Sequence, residues 1–304
     1  MEQPPVTIHI KSISQLHKLM GFEPPKHPLI SLIDVSRLKF TEDQIGHRTD
    51  SDLYTIALKD ANCGVMYGRH HFDFDQGVMV FTAPNQVSTV TRAQEVGEVH
   101  GWMLVFHPDL IRGTQLADMI EQYSFFSYEA HEALHLSEDE EKMMHDLVER
   151  TKFEYEQRID GHSQKVIVGI VDLMLSYCSR YYERQFHTRT TQNKDIVSQL
   201  NRLLKEYFNA DNLAEHGVPS IQYFAEKIHL SANYLSDLLK KETGRSAKDH
   251  INDFIVNKAK NLLIGTNESI SEIAYNLGFN YPHYFSRLFK AKTGVTPHEY
   301  RTAQ

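Results

Sequence analysis

Cysteine is scarce in this chain of 304 residues, which contains only Cys63 and Cys178. Two isolated thiols are too few for a disulfide framework, and their spacing does not resemble that of a zinc site. We therefore expect both to be free thiols that pack as small hydrophobic side chains.

Long apolar runs are also missing. No apolar stretch is as long as the about 18 residues that a membrane-spanning helix needs. The sequence from Met1 also lacks the positively charged and then apolar pattern of a leader peptide. The sequence therefore predicts a soluble, cytoplasmic protein without membrane contact. Its length is enough for two domains that each bury a core.

Basic residues are fewer than acidic ones: 32 Lys and Arg oppose 40 Asp and Glu, which gives a formal net charge of −8. The excess of negative charge is unevenly distributed along the chain. From Arg189 to the end, 15 Lys and Arg oppose 12 Asp and Glu, a net +3, whereas residues 1–188 carry a net −11. A modestly basic module joined to an acidic one indicates nucleic-acid binding confined to the C-terminal part of the chain.

The C-terminal part contains an internal repeat. The segment 233–244, NYLSDLLKKETG, aligns with 283–294, HYFSRLFKAKTG, at an offset of 50 residues. Just upstream, 225–230 aligns with 274–279 at an offset of 49. Each copy has the pattern of a short helix, a tight turn and a second helix, which predicts helix-turn-helix units at about 218–244 and 269–294.

Capping signals and polar faces support these two units. Ser269 and Glu272 form a capping box, Gly278 suits the turn, and Ser231 can cap the second helix of the first unit. The segment 251–263 between the units has one helical pattern of roughly 20 Å, which could hold two recognition helices over successive major-groove segments, about 34 Å apart. Polar side chains that can meet bases or phosphates are Ser231, Asn233, Ser236, Asp237, Lys240, Lys241, His283, Ser286, Arg287 and Lys290.

These residues resemble the signature of the AraC/XylS family of bacterial transcription regulators. The resemblance rests on residues 259–263, 269–274, 277–279, 284–290, 294–297 and 300–301, and it covers about the last 110 residues. It implies a unit that reads double-stranded DNA. By the same resemblance, the residues facing bases are Asn233, Ser236 and Asp237 in the first unit and Pro282, His283, Tyr284, Ser286 and Arg287 in the second.

Two further expectations concern charge at this surface. Lys290 and Lys292 are placed to meet phosphates as point charges. Asp237 departs from the basic residue that many family members carry, and an acidic side chain can accept from cytosine N4 but repels phosphate.

The N-terminal part has a different pattern. Short β-rich runs at 29–33, 53–57, 77–82 and 102–106 predict a small antiparallel barrel or sandwich. From Ser137 the pattern becomes helical, and the polar segment 187–194 predicts a linker. The chain is thus expected to be α+β, with an N-terminal domain at 1–188 and an all-α DNA-binding domain at 189–304.

In the AraC/XylS family such an N-terminal domain is often a cupin-type barrel whose trailing helices pair two subunits. The resemblance therefore implies a homodimer, a small-molecule effector in the barrel, and RNA polymerase as a further partner. Alternation suggests an effector pocket lined by His70, Phe72, Phe81 and Trp102.

A cupin-type enzyme with a helical appendage is the alternative function. A metal-dependent cupin needs several converging nitrogen and oxygen ligands, but His70 and His71 are adjacent and would point to opposite faces of a strand. Asn85 and Gln86 stand where the last histidine ligand is expected after Pro84. We therefore predict no metal, no cofactor and no catalytic residues, and favour the transcription regulator over the enzyme.

Overall fold

The structure, a computed structural model, describes residues 7–60, 77–90, 93–209 and 217–302. The chain divides into two compact units, Met1–Arg189 and Thr190–Gln304. The first combines β-strands and helices, whereas the described part of the second is helical. The mixed α+β class with a helical C-terminal domain is therefore confirmed.

Two sheets form the strand part of the N-terminal unit. A three-stranded sheet has the order β1-β3-β6, and a five-stranded sheet has the order β2-β7-β4-β5-β8. All pairs in the larger sheet are antiparallel, whereas β1 pairs with β3 in parallel. The strands are β1 (Thr7–Ile10), β2 (Ile30–Asp34), β3 (Arg48–Ser51), β4 (Tyr54–Asp60), β5 (Gly77–Thr82), β6 (Val87–Thr89), β7 (Gly101–Phe106) and β8 (Leu134–Leu136).

The four β-rich runs of the sequence do lie in strands of the larger sheet, but the expected closed barrel is not shown. Within the described residues the two sheets are separate, and the larger one ends at β2 and β8. Alternating apolar residues predict which side of a strand is buried, but they carry no information on which edges pair. Residues 61–76, between β4 and β5, lie outside the described residues.

The larger sheet is buried on both faces. In its register Ile56 of β4 lies opposite Phe81 of β5 and Leu104 of β7, so these three side chains share one face. On the other face, Val78 and Val105 belong to an apolar cluster that also contains Ile10 of β1 and the nearby Ile13 and Leu16. Burial on both faces explains why these strands contain nearly continuous apolar runs.

Four α-helices lie in the described part of the N-terminal unit. The predicted capping box at Ser137 and Glu140 is present, and Arg184 donates hydrogen bonds to Glu140. Cys178 is buried with its sulfur 3.8 Å from that of Met79, as expected for a structural thiol, and Cys63 lies outside the described residues. The helices are α1 (Ile13–Leu19), α2 (Gln115–Met119), α3 (Glu138–Glu156) and α4 (Ser163–Thr188).

The linker predicted at 187–194 is wrong. Helix α4 continues to Thr188, and the next helix begins at Thr190. Polar composition alone misled the prediction, because one of these polar side chains is a buried hydrogen-bond donor. Asn193 is 1% exposed and donates from Nδ2 to Oε1 of Glu242 at 2.9 Å.

The C-terminal unit packs its helices around one apolar core. Leu235, Leu239, Phe285 and Phe289 from the two predicted helix-turn-helix units meet in it. No helix in the described segments is both long and apolar enough to cross a membrane. The helices are α5 (Thr190–Asn209), α6 (Ile221–Ile228), α7 (Ala232–Thr243), α8 (Ala247–Gly265), α9 (Ile270–Asn276), α10 (Pro282–Thr293) and α11 (Pro297–Thr302).

Replacing Leu104 with Ala should destabilise the N-terminal unit by about 2–5 kcal/mol, because Leu104 is fully buried in the centre of the larger sheet. Trp102 is the single tryptophan, so its fluorescence in a urea titration follows this unit. Val87→Ala, at a half-exposed position in β6, should change the unfolding free energy by less than about 0.5 kcal/mol. Equal effects of the two changes would contradict the assignment of the core.

Candidate nucleic-acid interface

The first helix-turn-helix unit consists of α6 and α7. Ser220 and Ser231 cap the two helices by accepting hydrogen bonds from the backbone three residues ahead. His229 ends α6 in the left-handed conformation, with φ of 59°. Asn233 and Lys240 are exposed on α7, whereas Ser236, Asp237 and Lys241 are half-buried.

The second unit, α9 and α10, has a more exposed and more basic recognition helix. The capping box of Ser269 and Glu272 begins α9 as predicted, and Pro282 occupies the first turn of α10. The outer side of α10 exposes His283, Arg287 and Lys290 to solvent. Helix α10 carries three cationic side chains and no acidic one, while the two lysines of α7 are balanced by Asp237 and Glu242.

An aromatic cluster lies at the N-terminal end of α10. The rings of His283 and Tyr284 are 4.2 Å apart, and Tyr281 lies within 6.0 Å of both. The guanidinium of Arg287 stands 5.3 Å from the Tyr284 ring centroid, a cation–π arrangement that limits the conformations of the arginine. Four neighbouring side chains that can bind bases are thus brought together.

This cluster could be only partly predicted from the repeat. Tyr284 is 47% exposed, but its counterpart Tyr234 in the first unit is 3% exposed. Tyr281 was missed by sequence reasoning, although its position immediately before the proline that starts α10 was a usable signal. It is 60% exposed and begins the cluster.

Helix α8 connects the two units and is longer than predicted. It has 19 residues, Ala247–Gly265, and so spans roughly 28 Å. Ser246 caps it by accepting from the backbone of Asp249. The added first turn brings Asp249 onto the helix beside Asp253, and both meet a side chain of α10.

Lys292 of α10 forms ion pairs with two carboxylates of α8. Its Nζ lies 2.7 Å from Asp249 and 3.0 Å from Asp253. The hydrogen bond from Lys292, together with that from Ser246, lowers the pKa of Asp249 to about 2. Phosphate contact by Lys292 would have to break these ion pairs, so the geometry favours a structural role. Its contact with phosphate stays a prediction.

The other predicted DNA-contacting residues keep geometries compatible with the prediction. Ser286 is half-buried, and its hydroxyl donates to the carbonyl of Pro282, which lowers its availability for bases. Arg287 and Lys290 are exposed to solvent. None of these assignments is tested by the geometry alone.

The predicted effector pocket is not assembled by its described members. Phe81 and Trp102 are each 5% exposed and lie on one face of the larger sheet. Phe81 packs against Phe125, Phe126 and Tyr182, so it belongs to an aromatic core. His70 and Phe72 lie outside the described residues. Within the described ranges no group of three or more His, Cys, Asp or Glu could hold a metal ion.

Comparisons with known proteins find a family-model match within the C-terminal unit and relatives that match part of the chain. Residues 224–303 match the family model described as a helix-turn-helix domain. YfiF of Bacillus subtilis, described as an uncharacterized HTH-type transcriptional regulator, is 30% identical over 150 residues, which cover 49% of this chain and 44% of YfiF. RhaR of Yersinia pseudotuberculosis, an HTH-type transcriptional activator, is 33% identical over 106 residues, which cover 35% of this chain and 33% of RhaR.

A solved structure also matches about a third of this chain. The C-terminal domain of AraT, a response regulator from Geobacillus stearothermophilus, is 31% identical, with a TM-score of 0.32; the match covers 36% of this chain and 85% of that domain. This chain spans less than half the length of either curated relative described above. The family-model match lies within the helix-turn-helix part of the chain.

Asp249→Asn should destabilise the C-terminal unit at neutral pH, because it removes an ion pair with Lys292. The pKa of Asp249 is lowered in the folded state, so this stabilisation is present above the ordinary value of 3.8 and is lost as the pH falls towards about 2. Urea titrations followed by far-ultraviolet circular dichroism measure the difference between variant and wild type as a function of pH.

The difference in unfolding free energy between variant and wild type should shrink from pH 5 to pH 2. At each pH, the transition followed by Trp102 fluorescence should be the same in the two proteins. Lys292→Met removes the other partner and should reproduce the loss at neutral pH. A pH-independent difference would show that Asp249 acts through packing rather than charge.

Proposed function

We propose that this chain, whose C-terminal residues form an AraC-type helix-turn-helix domain, is a sequence-specific DNA-binding transcription regulator. One observation carries the proposal. The two recognition helices, α7 and α10, bury their apolar sides in one core and expose polar and cationic outer sides. A helix of this kind can enter the major groove, where base edges distinguish all four base pairs.

The second unit is proposed to contribute most of the base recognition. Arg287 can make two hydrogen bonds to a guanine edge, and its contact with Tyr284 favours a restricted set of side-chain conformations before DNA is bound. Lys290 lies one turn further along α10, exposed, where a point charge can meet a phosphate. His283 and Tyr281 complete the surface that faces the groove.

The first unit is proposed to bind more weakly and with a different base preference. Asp237 stands at the position that corresponds to Arg287, 50 residues later. A carboxylate repels phosphate but can accept a hydrogen bond from cytosine N4. Asn233 and Lys240 are the exposed side chains nearest to it on α7, so they are the proposed contacts with base edges and phosphate in this unit.

Arg287→Ala should weaken binding to a selected operator more than binding to random DNA, since a good bidentate pair provides about 1–3 kcal/mol of discrimination. Lys290→Ala, the matched control from the same helix, should weaken both alike and reduce the salt dependence of binding. Fluorescence anisotropy on duplexes at several salt concentrations measures both. Equal losses on specific and random DNA for Arg287→Ala would reject its role as a base reader.

We further propose that the N-terminal unit joins two copies of the chain through α4. Val166, Gly169, Ile170 and Leu173 follow the spacing of one helix face. Val166 and Leu173 are 41% and 47% exposed, although the opposite side of α4 is buried in the N-terminal core. A second copy of α4 would cover this stripe and bring two DNA-binding domains onto one operator.

Leu173→Glu should convert the protein to a monomer and lower operator affinity, because paired reading units gain from effective concentration. Ser179→Glu is the control, since Ser179 is exposed on the same helix outside the stripe. Analytical ultracentrifugation gives the oligomeric state. A Leu173→Glu protein that remains as dimeric as the Ser179→Glu protein would reject α4 as the contact.

A cupin-like arrangement, an effector for the N-terminal unit, and contact with RNA polymerase stay predictions. The two described members of the predicted pocket are core residues, so an effector would have to bind elsewhere in this unit. Relatives named as transcriptional regulators support the DNA-binding proposal over the enzyme alternative.

A further inference from the structure

The two helix-turn-helix units make the same turn with different residues. His229 ends α6 with φ of 59°, and Gly278 follows α9 with φ of 82°. In both turns the next residue donates a backbone hydrogen bond across the turn, from Leu230 to Ala225 and from Phe279 to Ala274. The left-handed backbone conformation of this turn is therefore compatible with a residue that has a side chain, as His229 shows in the first unit. The glycine at 278 in the second unit must have another cause.

That constraint is a close approach of two backbones. A Cβ atom on Gly278 would lie 2.7 Å from the carbonyl carbon of Gly217 and 2.9 Å from the nitrogen of Val218. In the reverse direction, a Cβ on Gly217 would lie 3.3 Å from the carbonyl oxygen of Gly278. Distances below 3.0 Å to backbone atoms leave no room for a side chain, so this contact requires glycine at 278.

Gly217 immediately precedes the first unit, and Gly278 lies in the turn of the second. Their contact therefore connects the two reading units directly, without passing through α8. The connecting helix and the shared apolar core already join the two units. The backbone contact adds a further point that restricts their rotation about α8. The ion pairs of Lys292 with Asp249 and Asp253 tie α10 to α8 and do not reach the first unit.

A buried tyrosine holds the Gly217 side of this contact. Tyr207 of α5 is 4% exposed and donates its hydroxyl proton to the carbonyl oxygen of Gly217 at 2.9 Å. Its ring packs edge-on against Tyr223 and Phe224 of α6. The hydrogen bond and the ring contacts together position the backbone of Gly217 relative to the first unit.

We propose that the joint formed by Tyr207, Gly217 and Gly278 fixes the relative orientation of α7 and α10, and so determines the spacing of the two DNA segments that one chain reads. This inference rests on the proposed DNA-binding function. Gly217, Gly278 and Tyr207 are positioning residues, since they act through the recognition helices and need not touch DNA.

The test begins with selection of DNA by the intact wild-type protein from a library of random-sequence duplexes. The selected operator then supplies duplexes in which the spacing of its two half-segments is changed by one base pair, and duplexes that retain only the segment read by α10. Affinities for all of them are measured for each variant. The half-site duplexes report the reading unit itself, and the spacing series reports the joint.

Gly278→Ala should weaken binding to the intact operator about tenfold or more, because the two linked contacts can no longer be made together. Binding to the α10 half-site should change less than about twofold, and a changed spacing should restore part of the lost affinity. Gly294→Ala is the matched control. Gly294 has φ of 84°, but its Cβ would meet nothing within 4 Å.

Tyr207→Phe keeps the ring and removes only the hydroxyl group. If Gly278→Ala does not fold, this variant tests whether the joint sets the spacing preference. It should broaden the range of spacings that the protein accepts. Tyr223→Phe, which removes a neighbouring hydroxyl, should bind like wild type.

Three outcomes would overturn the joint while leaving the DNA-binding function standing. These are equal losses for Gly278→Ala on the intact operator and on the half-site, equal effects of Gly278→Ala and Gly294→Ala, and an unchanged spacing preference in Tyr207→Phe. Failure of the wild-type protein to enrich any sequence would overturn the proposed function and the joint together.

Discussion

The arrangement of the C-terminal unit depends on one apolar core that both recognition helices share. Leu235 and Leu239 of α7 meet Phe285 and Phe289 of α10 in a cluster to which α8 also contributes. Fixing one side of each helix in this way decides which side faces solvent. The exposure of Asn233 and Arg287 follows from this burial rather than from any interaction of their own.

Electrostatics then makes the two recognition helices unequal. Their apolar sides are nearly interchangeable, but Asp237 in α7 replaces the arginine found in α10, and only α10 has the ring cluster around Tyr284. Lys292, which looks like a further DNA contact in the sequence, is used to hold α10 to α8. A lysine between two carboxylates stabilises the domain, and a lysine such as Lys290, exposed on the outer side, remains available for phosphate.

The repeat predicted the helix-turn-helix units because an offset of 50 residues preserves the apolar positions of the second helix in each unit. The caps at Ser231 and Ser269 are local interactions, so they could be recognised from the sequence. The two partners of Lys292, Asp253 and Asp249, lie 39 and 43 residues away from it in the sequence. Gly217 and Gly278, whose backbones come close together, are 61 residues apart. Such long-range contacts leave no local pattern, and the same holds for the pairing of sheet edges and for the buried Asn193 that made the linker prediction wrong.

Hydroxyl-radical footprinting of the intact protein on its selected operator tests the central claim most directly. Two reading units held in one domain should protect, for each chain, two short backbone segments about one helical turn apart on the same side of the duplex. Stronger protection is expected in the segment that Arg287→Ala weakens. A single protected segment for each chain, or protection on opposite sides of the duplex, would contradict the account.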